Sequence, residues 1–209
     1  MPVFYEHING FTKIAIWRIA EEKNFFLEKV PLQREITHPH KQLQHLAGRY
    51  LLQYLYPDFP FHLIEIAPDS SRDRKPFLPN EAYHFSISHC GDYAAVIISK
   101  NNRVGIDIEL VTEKVERIKH KFLNAEELNN IQHSTLDTQQ LTLLWCCKET
   151  VFKWYGNREV DFKNNIHLHL KNIDLNSGKI DCDFIKEEKT CLHLQFKFFD
   201  GLCLAWVIS

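Results

Sequence analysis

Glycine is scarce in this chain, at 7 of 209 residues, and no glycine-rich loop of the kind that cradles a nucleotide phosphate is present. Fixation of a nucleotide by a P-loop is thereby excluded. No apolar run approaches the roughly 20 residues needed to span a bilayer. The first residues carry Glu6, Lys13 and Arg18 with no uninterrupted apolar stretch between them, which does not read as a signal peptide. There is no basic excess either. A net charge of −2 argues against a protein whose main partner is nucleic acid. The six cysteines (Cys90, Cys146, Cys147, Cys182, Cys191 and Cys203) show no disulfide-framework spacing, so free thiols in a reducing cytoplasm are expected.

What is present is an ordinary soluble composition, 44% hydrophobic and 25% charged, in a length sufficient to bury a core without staples. A strand is expected at 14–17. From 40 to 56 the apolar positions Leu43, Leu46, Ala47, Tyr50, Leu51, Tyr54 and Leu55 have helical spacing, closed by Pro57. Strand-like segments follow at 62–66, 83–88 and 93–99. A second cycle opens with a strand at 104–110, helices near 114–122 and 125–131, and a long helix from about 137 to 155. Strands at 166–170, 179–184, 191–198 and 202–208 complete it. Both halves run strand, helices, then antiparallel-looking strands. The expected fold is therefore α+β, with subdomains at 1–102 and 103–209 meeting near residues 100–103. A cleft between two such halves is a usual place for a ligand.

Two short segments carry chemistry. In Val104-Gly105-Ile106-Asp107-Ile108-Glu109 the carboxylates alternate with isoleucines, so on a strand Asp107 and Glu109 share one face. That face is either a plain solvated one or a cation site, since paired carboxylates repel unless a cation neutralises them. Oxygen-only ligands favour magnesium over zinc. In Trp145-Cys146-Cys147-Lys148-Glu149-Thr150-Val151-Phe152-Lys153, read as a helix, Glu149 and Lys153 lie one turn apart. Lys148 falls in the apolar stripe Leu141, Leu144, Trp145, Phe152 and Tyr155. A lysine there needs an anionic partner or a route to water. Three carboxylates with lysines are the equipment for holding a hard divalent cation against a phosphate ester.

Three other positions are weighed singly. His89 ends the strand Phe85-Ser86-Ile87-Ser88, where it is a surface residue or a phosphate donor. Arg49 lies off the apolar stripe of its helix and is solvent-exposed or faces the other half. His167-Leu168-His169 could be a metal pair, but the sequence offers it no partner at ligand spacing.

Taken together, Lys75-Pro76, Phe85-Ser86-Ile87-Ser88-His89, Gly105-Ile106-Asp107-Ile108-Glu109 and Trp145-x-x-Lys148-Glu149-x-x-x-Lys153 resemble the ordered motif set of the Sfp-type 4′-phosphopantetheinyl transferases. The resemblance covers essentially the whole chain. It implies a pseudo-twofold monomer of two similar α+β subdomains, at work in the cytoplasm without membrane or nucleic acid. It also implies a reaction: the 4′-phosphopantetheine arm of coenzyme A moves to a serine of an acyl or peptidyl carrier protein, releasing adenosine 3′,5′-bisphosphate.

Carried over by position, the resemblance makes Asp107, Glu109 and Glu149 the ligands of magnesium, with manganese as a substitute. Ser88, His89 and Lys153 then contact coenzyme A. Arg49, in Gly48-Arg49, serves the 3′-phosphate and adenine end, and Lys75 is a further nucleotide contact. Lys148 matches the first motif lysine and is grouped with the coenzyme contacts. The base that activates the serine is left open among Glu149, Lys153, Glu127 and a metal-held water. Departures are Cys90 for a common serine, Thr150 for a common alanine and Arg74 for a usual glycine. A binding module without transfer activity would be expected to lose a metal-site carboxylate, and the shorter trimeric branch of the superfamily would lack one half. The carrier pathway is not legible. Lys114, Arg117, Lys119 and Lys121 form a basic run that is either a solvated helix face or a dock for an acidic carrier.

Overall fold

The computed structural model describes residues 3–30, 35–66, 76–79, 82–132, 138–156, 159–169 and 176–209. Its first half contains β1 (Val3–Asn9), β2 (Thr12–Arg18), α1 (Lys23–Leu27), α2 (Pro39–Leu55), β3 (Glu65–Ile66), β4 (Pro76–Phe77), β5 (His84–Cys90) and β6 (Tyr93–Ser99). The second half contains β7 (Val104–Leu110), α3 (Lys114–Phe122), α4 (Ala125–Gln132), α5 (Thr138–Tyr155), β8 (Ile166–His169), β9 (Ser177–Ile185), β10 (Lys189–Phe199) and β11 (Leu202–Ile208). The fold is α+β, as the periodicity indicated.

Two antiparallel sheets dominate, with strand orders β1-β2-β6-β5 and β7-β11-β10-β9-β8. Each carries a helix on its outer face. Leu46, Ala47, Leu51 and Leu52 of α2 pack on Ala15, Trp17, Val96 and Ile98, while Leu143, Leu144, Cys147 and Val151 of α5 pack on Cys203, Ala205 and Val207. The inner faces meet each other, Ile14, Ile16, Ala95 and Ile97 against Ile106, Ile108, Leu204 and Trp206. The central strands are buried on both faces, which is why β6 and β11 read as nearly continuous apolar runs.

Where β5 meets β7, side chains replace a backbone ladder. The hydroxyl oxygens of Ser86 and Ser88 accept the amides of Ile106 and Ile108, both at 3.3 Å, and the Cys90 sulfur accepts that of Leu110 at 3.2 Å. Three rungs at two-residue intervals fix the register of β7 against the first half. On the other face of β7, α5 comes very close. The Cys146 thiol donates to the Asp107 carbonyl at 3.3 Å, and the Thr150 hydroxyl donates to the Ala205 carbonyl at 3.1 Å. That approach requires Gly105. A β-carbon there would overlap the Thr150 carbonyl oxygen and lie 2.8 Å from both the backbone nitrogen and Cβ of Trp154.

Two local readings are corrected. Residues 62–66 are not one strand. A 3-10 turn at Phe61–Leu63 precedes the two-residue β3, closed by bonds from Leu63 N–H to the Pro60 carbonyl and Ile64 N–H to the Phe61 carbonyl. The edge strand β1 is mostly exposed, and its apolar residues Val3, Phe4, Tyr5 and Ile8 do not alternate with polar ones, so no period marks it in the sequence.

Because the neighbours of Gly105 are backbone atoms that cannot swing aside, Gly105→Ala should lower stability by about 1–3 kcal/mol, an overpacking cost. A urea melt reads this, and an unchanged midpoint would show that α5 can retreat from β7 freely.

Candidate active site

Asp107 sits on the α5 side of β7 and is 2% exposed. The plain solvated strand face considered for it is therefore ruled out. Its Oδ1 accepts from the Ser88 hydroxyl at 2.7 Å and from the Lys153 ammonium at 2.5 Å, and that ammonium also bonds Ser88 Oγ at 2.8 Å. Three elements, β5, β7 and α5, thus converge on one carboxylate oxygen. The second oxygen, Oδ2, is buried with no hydrogen-bond partner among the described residues. An unmet buried acceptor is costly, and it points to a missing donor or cation.

Glu109 lies two residues along the same face, half-buried, its Oε1 accepting from the Trp145 indole at 2.9 Å. Burial, then the Asp107 charge, push its pKa up. Glu149, one turn before Lys153 on α5, is affected more. Burial and then the Asp107 charge push its carboxyl up to about 7, against a smaller downward pull from Lys153 and with a still smaller upward push from Glu109. Burial works to lower the Lys153 pKa, but Asp107 and Glu149 outweigh it and raise it. Both carboxylates therefore favour the charged ammonium.

The structure splits the remaining sequence candidates. His89 is exposed and within electrostatic reach of the cluster; partial desolvation and the Lys153 charge lower its pKa, against a counter-effect from Asp107. Arg49 is 5% exposed rather than solvated, its guanidinium 3.1 Å from His45 Nδ1 on the preceding turn of α2. Gly48 lets that helix lie on β5, since a β-carbon would come 2.7 Å from an Ile87 methyl. Lys75 lies outside the described residues, as does Arg74.

Lys148 and Glu127 belong to a different network. Lys148 is 0% and Glu127 3% exposed. The ammonium uses all three protons, on Glu127 Oε2 at 2.7 Å and on the carbonyls of Phe162 at 2.9 Å and Ile166 at 2.7 Å. Glu127 is equally committed. It accepts the amides of Asn124 and Leu168, while Asn124 Oδ1 accepts the Glu127 amide, a reciprocal cap on α4. In this arrangement both are buried and bonded to each other rather than to the Asp107 cluster. Together they lock α5 to α4 and β8. The requirement for an anionic partner was legible at Lys148; its identity needed the fold. Trp145 as the partner of Glu109 was not anticipated, although Trp145 precedes Glu149 by one helical turn.

As they stand, no three acidic, histidine or cysteine side chains among the described residues close into a metal cage. The donor set nevertheless fits a hard divalent cation. Asp107 carries an unmet buried oxygen, and burial together with the Asp107 charge raises the pKa of both neighbouring carboxyls, Glu109 and Glu149.

The model of the 4′-phosphopantetheinyl transferase superfamily matches residues 103–207, half of the chain and the half that supplies Asp107, Glu109, Glu149 and Lys153. The chain belongs to this superfamily. It is 29% identical over 116 residues to enterobactin synthase component D of Escherichia coli, covering 54% of each chain. It is 34% identical over 84 residues to the 4′-phosphopantetheinyl transferase gsp of Aneurinibacillus migulanus, covering 39% of this chain and 35% of that one. A third relative, the 4′-phosphopantetheinyl transferase AcpT of Escherichia coli, is 28% identical over 118 residues, covering 53% of this chain and 56% of its own. The chain spans about half the length of the curated relatives it matches. No helix among the described residues is long and apolar enough to cross a membrane.

The raised Glu149 pKa of this superfamily member has a consequence for stability. With the folded value near 7 and the ordinary value at 4.5, the native state holds more protons between those values. Stability then falls as pH rises through that window and stays lowered above it. In chelator, Glu149→Gln should be more stable than wild type at pH 8 by about 2 kcal/mol and gain nothing near pH 4.5. Thermal melts across pH read this. A gain that is constant across pH would remove the charge repulsion as its cause.

Proposed function

We propose that this chain transfers the 4′-phosphopantetheine arm of coenzyme A to a serine hydroxyl of an apo acyl or peptidyl carrier protein, releasing adenosine 3′,5′-bisphosphate. The observation that carries this reading is the convergence of Asp107, Glu109, Glu149 and Lys153, with Ser88, inside the segment that the superfamily model matches. The names of the relatives point the same way. We read 1–102 and 103–209 as two subdomains of a cytoplasmic monomer, a division supported by the separate membership of the two sheets.

In this reading Asp107, Glu109 and Glu149 hold magnesium, or manganese in its place. When bound, the cation neutralises charge on the diphosphate of coenzyme A. The Lys153 ammonium donates to a phosphate oxygen as negative charge builds there. His89 Nε2 or Nδ1 donates to the same diphosphate, and Arg49 serves the 3′-phosphate. Glu149 takes the proton of the carrier serine. Lys153 and Glu127 weigh less, because the Lys153 pKa is raised by its carboxylate neighbours and Glu127 is buried with three bonds already accepted. The serine oxygen forms a bond to the β-phosphorus. The bond from that phosphorus to the bridging oxygen breaks, and the adenosine bisphosphate leaves with the electron pair.

Intact-mass analysis of a panel of apo carriers, incubated with coenzyme A, magnesium and the protein, should show addition of one phosphopantetheine to at least one of them. Asp107→Ala should slow that transfer by about 100-fold or more while the protein stays folded. Full activity of this variant, or of wild type in excess chelator, would remove the metal assignment.

Carrier docking is proposed for α3. Its Val115 and Phe122 are buried, whereas Lys114, Arg117 and Lys121 are exposed and Lys119 half-exposed, all on a helix immediately following β7. Reversing the charges of Lys114 and Arg117 should raise the carrier KM by about threefold or more at low salt and leave the coenzyme A KM unchanged. A carrier KM that does not move would leave α3 as ordinary surface.

A further inference from the structure

Ser88 is buried, and every hydrogen-bonding capacity of its hydroxyl is in use. The oxygen accepts the Ile108 amide at 3.3 Å and the Lys153 ammonium at 2.8 Å. Amides and ammonium groups donate only, so the hydroxyl proton has one destination, Oδ1 of Asp107 at 2.7 Å. A serine hydroxyl offers one proton and two lone pairs, and here all three are taken. Lys153 closes the triangle, 2.5 Å from the same carboxylate oxygen. The other oxygen of Asp107, Oδ2, stands outside it, buried and unmet among the described residues.

We infer, on the reading of Asp107, Glu109 and Glu149 as the cation site, that Ser88 is a positioning residue for Asp107 and not a contact of coenzyme A. The terminal torsion of an aspartate is broad, so a carboxylate does not keep one rotation unaided. Ser88 and Lys153 together hold Oδ1, which fixes that rotation and leaves Oδ2 as the oxygen that takes the cation. A ligand kept in its binding orientation by a hydrogen-bonded neighbour loses less freedom on coordination, which is how outer groups raise metal affinity. The neighbouring rung of the same seam supplies a matched comparison. Ser86 is equally buried and accepts the Ile106 amide at the same 3.3 Å, but the residue before Ile106 is Gly105, so that rung has no carboxylate in the place of Asp107. Both serines join β5 to β7; only Ser88 also touches the cation site.

The test is Mn2+ binding to the full chain without coenzyme A, read from the electron-paramagnetic signal of free Mn2+. Thermal melts and circular dichroism check each variant for folding. Ser88→Ala should weaken Mn2+ by about tenfold or more, and Ser86→Ala by less than about threefold. Ser88→Thr and Ser88→Val are branched alike and nearly equal in volume, so they share any packing strain and differ in the hydroxyl. Of these two, Ser88→Thr should bind Mn2+ about tenfold more tightly. In chelator, Ser88→Ala should bind coenzyme A within about twofold of wild type by calorimetry, where losing a hydrogen bond to a phosphate would cost about tenfold. Equal Mn2+ losses in Ser86→Ala and Ser88→Ala would overturn the inference and leave the cation site standing. So would matching Mn2+ affinities in Ser88→Thr and Ser88→Val, or a coenzyme A loss in chelator as large as that of a missing phosphate contact. A wild type that binds no Mn2+ would overturn both the inference and the reading beneath it.

Discussion

Everything chemical in this molecule hangs on β7 being held from both sides at once. On one side its amides are caught by Ser86, Ser88 and Cys90; on the other, Gly105 admits the backbone of α5 to contact distance. A hydroxyl or thiol rung is shorter-reaching than a long polar side chain and has little freedom to lose, so the seam defines a position rather than merely joining two surfaces. With β7 fixed, Asp107 faces α5, and the 1-4 spacing of Glu149 and Lys153 brings both to it.

The buried pair beneath this arrangement has a different physical character. An ion pair as deeply buried as Lys148 with Glu127 contributes little net stability, because desolvation offsets most of the attraction, but removing one partner alone is severe. What it specifies is geometry. Lys148 is reached by Glu127 of α4 and by two carbonyls just before and at the start of β8, so only one rotation of α5 satisfies all of them. Glu149 is the next residue, and its direction follows from that rotation.

Much of this was legible in the sequence, for identifiable reasons. The strands of the inner cores are short apolar runs and α2 and α5 are long, so period and length separated them. Asp107 and Glu109 announced themselves by alternation, and Lys148 by interrupting an apolar stripe. What was not legible shares a cause: side-chain partnership across distant segments has no local signature. The buried partners of Glu127, Lys148 and the amide of Leu168, come from outside its own helix. The Asn124-x-x-Glu127 spacing, which is a helix-capping pattern, carried its local role in plain view. Arg49 could be placed on a helix face but not assigned its surroundings, since those come from the packing of α2 on β5. The segment at 62–66 looked extended because bulky apolar residues dominate it, whereas the turn after Pro60 decides its backbone.

The electrostatics of the site also explain why one lysine belongs among the carboxylates. Asp107, Glu109 and Glu149 carry three negative charges when ionised, and Lys153 returns one, leaving two uncompensated in a largely buried pocket. Without further compensation the cheapest response is protonation, which is what the raised Glu109 and Glu149 pKa values express. A divalent cation balances the same two charges without protons. The cluster is therefore matched in charge as well as in donor chemistry to a hard dication. Its affinity must then rise with pH as the carboxyls give up the protons that otherwise fill that role.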